Sequence, residues 1–213
     1  MTKRKICGMR EARNILDVAG LMPDYMGFIF YPGSPRFVGK SFAIPEALPR
    51  TIGRVGVFAD QPVGEVIDLI SLHEIDVVQL HGAERPDDCE ALRTLDVKVV
   101  KAIGVSDKSD LGRLHEFESV VDYFLLDAKG VNRGGNGVPF DWNLLVDYLS
   151  DKPFWLAGGI SKVTVNELRN LDLPKLHTLD INSGVESFPG QKDIGKITEL
   201  FDKLDLMSQE KSL

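Results

Sequence analysis

The chain has 213 residues, 43% of them hydrophobic and 27% charged, enough for one domain around its own buried core. A formal net charge of -7 argues against a nucleic-acid or anionic-membrane surface, either of which needs a basic stripe. A small anion is still allowed, because local cations or helix N-termini suffice to hold one.

Strands and helical spacing alternate along the whole length. A strand at 3–7 (KRKIC) precedes helical spacing in 10–20. The strand at 25–30 (YMGFIF) is followed only by a short helix in 43–50, where AIPEALPR is flanked by prolines. Strand 53–58 leads to helix 63–73, 76–80 to 86–95, and 97–103 to 107–117. Strand 121–127 leads to 141–150, 153–157 to 162–170, and 177–181 to 193–204. Such alternation implies parallel pairing with right-handed crossovers. Eight units of this kind predict an α/β fold, a single (β/α)8 TIM barrel over residues 1–213. The competing doubly wound sheet usually has about five or six strands. The polar tail 207–213 (MSQEKSL) is expected to fray.

Two cysteines, Cys7 and Cys89, lie far apart without metal-ligand spacing, which fits free thiols and no bound metal. The N-terminus lacks an apolar signal region, and no apolar run reaches about 18 residues. A cytoplasmic protein is expected.

In a TIM barrel, catalytic side chains come from the C-terminal ends of several strands. Cys7 ends the first strand, with Gly8 after it, and Asp127 ends the sixth after an apolar YFLL. A buried strand cysteine is ordinarily a small hydrophobe, as Cys89 is expected to be in its helix. An aspartate at such a place is costly to bury unpaired. The two are therefore either structural or an acid–base pair at the barrel mouth.

Strand seven runs into Gly158-Gly159-Ile160-Ser161, and strand eight into Asn182-Ser183-Gly184-Val185-Glu186. Glycine and serine loops after two late strands occupy the usual phosphate position of this fold. Arg36 sits in a loop stiffened by Pro32 and Pro35; its fork suits a planar carboxylate, against the alternative of a solvated surface arginine. His81, ending VVQLHG, is either a rim histidine holding the turn at Gly82 or a wall of the pocket. His73, His115 and His177 read as structural. Lys5, Gln79 and Lys101 stand within strands and are expected to satisfy one another in the barrel core, Lys5 on the face of Cys7 and Gln79 on that of His81. Residues 129–139 (KGVNRGGNGVP) lack the Lys-Ser/Thr of a Walker loop and read as a flap beside Asp127.

Taken together, KICGM, GFIFYPGSPRFV, VGVF, VVQLHG, LLDA with GGNG and FDW, LAGGI and DINSGVESFPGQKD resemble the phosphoribosylanthranilate isomerase family of tryptophan biosynthesis, in order, over roughly residues 3–203. The resemblance implies a cofactor-free (β/α)8 enzyme. Its reaction would be the Amadori rearrangement of N-(5-phosphoribosyl)anthranilate to 1-(2-carboxyphenylamino)-1-deoxyribulose 5-phosphate. Cys7 would be the general base and Asp127 the general acid. Arg36 would bind the anthranilate carboxylate, and Gly159, Ser183 and Gly184 the phosphate; His81, Gly158 and Asn182 are counted with the substrate-binding residues from their place after the strands. Asn182 stands where a serine is common, and GGNG has asparagine where Ser or Thr is usual; both keep a small polar side chain.

The chemistry asks for a protonated Asp127, starting from about 3.9, and an ionised Cys7, starting near about 8.5. Burial is expected to serve the first and a cation such as Lys5 the second. Partners are expected to be a small phosphorylated substrate, with no nucleic acid or membrane, in a monomer or homodimer. Two other readings are another sugar-phosphate isomerase and a non-catalytic phosphate-ligand sensor on the same barrel. The sensor would need the phosphate loops but not Cys7 and Asp127 together.

Overall fold

A computed structural model describes residues 2–129 and 141–210. Eight parallel strands close into a barrel: β1 (Lys3–Ile6), β2 (Tyr25–Ile29), β3 (Gly53–Phe58), β4 (Val77–Leu80), β5 (Lys98–Val105), β6 (Tyr123–Ala128), β7 (Phe154–Leu156) and β8 (Leu176–Ile181). Closure is made by β1 against β8, with Lys5 opposite Asp180 and Ile6 opposite Ile181. The predicted TIM barrel is therefore the fold.

Alternation along each strand produces two cores. Ile6, Met26, Phe28, Phe58, Val78, Phe124 and Leu179 face the helix layer. Cys7, Val55, Val57, Val77, Val100, Leu125 and Trp155 fill the barrel itself. The α-helices are α1 (Ala12–Ala19), α2 (Val63–His73), α3 (Pro86–Arg93), α4 (Lys108–Leu111) and α5 (Ile194–Glu210).

Four expectations are corrected. No helix forms in 43–50; two turns replace it, with Leu48 N–H donating to Pro45 O and Ile52 N–H to Pro49 O. Proline lacks the amide and clashes with the preceding turn, so the segment docks Leu48 and Ile52 without helical continuation.

The helices after β5, β6 and β7 are largely or wholly 3-10: Gly112–Glu116 following α4, Trp142–Asp147 and Thr164–Asn170. Their buried anchors are three apart, Leu114 with Phe117, Trp142 with Leu145, and Val165 with Leu168. That spacing eclipses on a helix of three residues per turn. Val163, Thr164 and Val165 also lower α propensity.

Of the tail 207–213 expected to fray, residues 207–210 continue α5 to Glu210, with Met207 packed on the core, and 211–213 lie outside the described residues. Finally, Lys101 points outward from the barrel. It donates to Glu84 (2.8 Å) and to Gly82 O (2.8 Å), between β5 and the helix layer, instead of joining Lys5 and Gln79. The predicted glycine-rich flap lies outside the described residues, apart from Lys129.

Candidate active site

Every residue predicted for the site lines one cleft at the C-terminal mouth of the barrel: Cys7, Arg36, His81, Asp127, Gly158, Gly159, Asn182, Ser183 and Gly184. Cys7 follows β1 and is fixed by its N–H to Ile181 O (2.8 Å). Its neighbour across the barrel wall is Gly27 of β2. A Cβ there would lie 2.7 Å from Cys7 Sγ and 2.8 Å from Lys5 Cε. Glycine within a strand often marks such a close approach, and here it makes room for both side chains.

Beneath Cys7 lies a buried charged cluster. Lys5 Nζ donates to Gln79 Oε1 (2.5 Å) and to Asp180 Oδ2 (2.9 Å). Asp180 Oδ1 is buried with no hydrogen bond among the described residues. Burial would depress the Lys5 ammonium, but Asp180 and Cys7 outweigh it and raise its pKa, so Lys5 is charged. For Cys7, burial pushes the thiol up and Asp180 adds to it, while Lys5 and Lys192 oppose. Lys5 therefore favours the thiolate, as expected, but burial and Asp180 outweigh it and the net direction is upward.

An expected result follows for the empty enzyme in a Cys89→Ser background. Thiolate absorbance from Cys7 should appear only above the ordinary thiol range. Asp180→Asn should bring it to lower pH, because removing a neighbouring negative charge favours the thiolate. Thiolate at neutral pH in the unmodified protein would contradict this.

Asp127 closes the opposite wall. Its Oδ1 accepts from Ala128 N–H (2.8 Å), and its Oδ2 is 3.4 Å from His81 Nε2. His81 Nδ1 in turn meets Gln79 Nε2 at 2.9 Å. His81 is thus both a pocket wall and a partner of Asp127. Cys89 is buried in α3 away from the cleft, its thiol pushed to about 12 mainly by burial, and reads as a small hydrophobe.

Arg36 is no solvated surface residue. Its Nε donates to Glu186 Oε1 (2.9 Å) and its Nη2 to Glu186 Oε2 (2.6 Å). Its Nη1 makes no hydrogen bond among the described residues. Glu186 opens β9 (Glu186–Phe188), which pairs with β10 (Gln191–Lys192) in a small hairpin beyond β8. From that hairpin Lys192 Nζ reaches back to Glu186 Oε1 (2.8 Å) and Asn182 Oδ1 (2.7 Å). Burial pushes the Glu186 carboxyl up, but its bonds to Arg36 and Lys192 prevail and hold it at about 2. An ammonium only donates, so Lys192 claims the Asn182 oxygen and leaves its NH2 group for the cleft.

The two Gly/Ser loops stand side by side. Gly158 and Gly159 both have positive φ (82° and 73°), which turns the chain away from β7 at little steric cost. Thr164 ties the loop down, donating to Gly159 O (2.7 Å) and accepting from Ser161 N–H (3.0 Å). The N–H groups of Gly159, Ser183 and Gly184 find no protein acceptor among the described residues.

Residues 4–203 match the family described as N-(5'phosphoribosyl)anthranilate (PRA) isomerase. The chain belongs to this family. A relative of that name from Parabacteroides distasonis is 37% identical over 203 residues, covering 94% of this chain and 92% of that protein. The crystal structure of phosphoribosyl anthranilate isomerase from Thermus thermophilus superposes with a TM-score of 0.82 at 30% identity, over 97% of this chain and 100% of that one. Another, solved with reduced 1-(o-carboxyphenylamino)-1-deoxyribulose 5-phosphate, gives a TM-score of 0.77 at 30% identity, over 100% of both chains. As a member of the family the chain is an enzyme, an isomerase of tryptophan biosynthesis.

Sequence reasoning missed Glu186, Lys192, Asp180 and Gly27. Asp180 was within reach, because it shares inward parity with Asn182 along β8. Lys192 and Glu186 meet only through a short hairpin that carries no strand pattern of its own.

Proposed function

We propose that the cleft catalyses the Amadori rearrangement of N-(5-phosphoribosyl)anthranilate, with Cys7 as general base and Asp127 as general acid. The observation that carries this reading is that a thiol and a carboxylate from β1 and β6 face one cleft, between a guanidinium and two loops of open amides.

Asp127 protonates the ribose ring oxygen, and the anilino nitrogen's lone pair opens the ring to an iminium. That cation acidifies the neighbouring C2–H, which the Cys7 thiolate removes. The enolamine then gains a proton at C1 and loses one from the enol oxygen, so substrate and product have the same composition. Burial and Asp180 raise the pKa of the thiol. Lys5 and Lys192 favour its ionisation, and the iminium adds a positive charge beside it when the base is needed.

Arg36, aimed by Glu186, binds the anthranilate carboxylate through Nη1. The amides of Gly159, Ser183 and Gly184, together with Gly158 and the Asn182 NH2, hold the phosphate, and His81 supports Asp127. The same reading takes the working unit as a monomer or homodimer in the cytoplasm. No helix among the described residues is long and apolar enough to cross a membrane.

The test is consumption of freshly made phosphoribosylanthranilate, followed by loss of its fluorescence. Turnover by purified protein supports the reading. Binding without turnover would favour a phosphate-ligand sensor instead.

A further inference from the structure

The acid and base sides of the cleft are bridged by two hydrogen bonds and a close approach: Lys5 Nζ to Gln79 Oε1 (2.5 Å), Gln79 Nε2 to His81 Nδ1 (2.9 Å), and His81 Nε2 lying 3.4 Å from Asp127 Oδ2. Donor and acceptor bookkeeping fixes every link from one end. An ammonium has three donors and no acceptor, so Gln79 must turn its oxygen to Lys5. Its NH2 group then necessarily faces His81 Nδ1. An amide NH2 only donates, so Nδ1 must be bare and the imidazole proton must sit on Nε2, the nitrogen facing Asp127. Gln79 and Lys5 are buried, which denies either of them water as a substitute partner.

The geometry points to Gln79 as a positioning residue that locks His81 in its neutral Nε2–H tautomer against Asp127. This rests on the proposed role of Asp127 as the acid and says how that acid is kept usable. An imidazolium beside Asp127 would favour the ionised carboxylate, which has no proton to give. A neutral Nε2–H can steady the carboxylate formed after proton transfer without placing a full positive charge beside it. Lys5 acts at one remove: its charge orients the amide, and Asp180 holds Lys5 in place (2.9 Å).

Long-range nitrogen–proton NMR reads the tautomer directly. The chain has four histidines, and the His81 signals are those lost in His81→Asn. At neutral pH the native protein should show a protonated Nε2 and a bare Nδ1 at His81. Gln79→Glu replaces the donor at Nδ1 by an acceptor and should give an imidazole protonated at Nδ1 or at both nitrogens. Its kcat should fall about tenfold, part of the ~10²–10⁴-fold that a positioned proton-transfer group supplies, with KM little changed. Gln79→Asn keeps the donor chemistry on a shorter arm and should retain more activity than Gln79→Glu.

A native spectrum with Nδ1 protonated overturns the proposal without any variant having to fold. So does a Gln79→Glu spectrum identical to the native one. If instead Asp127→Asn keeps full turnover while His81 shows the expected tautomer, the acid assignment fails and the lock stands.

Discussion

Cys7→Ala and Asp127→Asn should each lose at least ~10²-fold in kcat, the usual worth of a positioned proton-transfer group, while remaining folded. The two side chains reach the cleft from different strands, β1 and β6, and neither is a large contributor to the cores. Removing the thiol deletes a small side chain beside Gly27. Changing Asp127 to Asn keeps its shape and leaves an amide oxygen to accept from Ala128 N–H. Circular dichroism and thermal unfolding close to those of the native protein should therefore accompany the kinetic loss. The variants differ in which step they block: without Asp127 the ring stays closed, whereas without Cys7 the opened iminium reverts. Turnover near the native rate in either variant would remove that residue from its role.

Arg36→Met should lose about 10- to 150-fold in kcat/KM, because a hydrogen bond to a charged group contributes roughly 1.5–3 kcal/mol. Arg36→Lys should recover only part of this, since an ammonium lacks the planar fork by which Glu186 aims Nη1. The loop position limits damage to the fold, but the variant also strips Glu186 of one partner. Lys192 still pairs with that carboxylate (2.8 Å), so an unpaired buried charge is avoided. The sharper control uses a product analogue without the aromatic carboxylate. Native protein should bind it more weakly than the parent compound, and Arg36→Met should bind the two about equally. A mutant that still prefers the carboxylate as strongly as the native protein would assign that contact to another residue.

Most strands were legible as short apolar runs rich in Val, Ile, Phe and Tyr, the basic β1 (KRKI) being the exception, and the strand ends located Cys7, His81 and Asp127 without the aid of contacts. The helix layer was legible where apolar residues follow a 3.6-residue period, as in α2, and not where pairs three apart settle into 3-10 turns. The outward turn of Lys101 was hidden because β5, KVVKAIGV, is apolar on both faces, as parallel strands buried on both sides are. With no alternation to read, nothing in the sequence says which face a lysine takes. The partners of Arg36 were hidden for a different reason. Glu186 is 150 positions away in the chain, and only barrel closure brings the end of β8 beside the loop after β2.

In the proposed reaction one substrate spans the mouth between Cys7 and Asp127. A crystal structure of this protein with reduced 1-(o-carboxyphenylamino)-1-deoxyribulose 5-phosphate tests this. The aromatic carboxylate should lie on Arg36 Nη1, the phosphate on the amides of Gly159, Ser183 and Gly184, and the sugar carbons between Cys7 Sγ and the Asp127 carboxyl. A phosphate seated elsewhere with those loops empty, or a chain that leaves Cys7 and Asp127 on the same side of the reacting carbons, would contradict it.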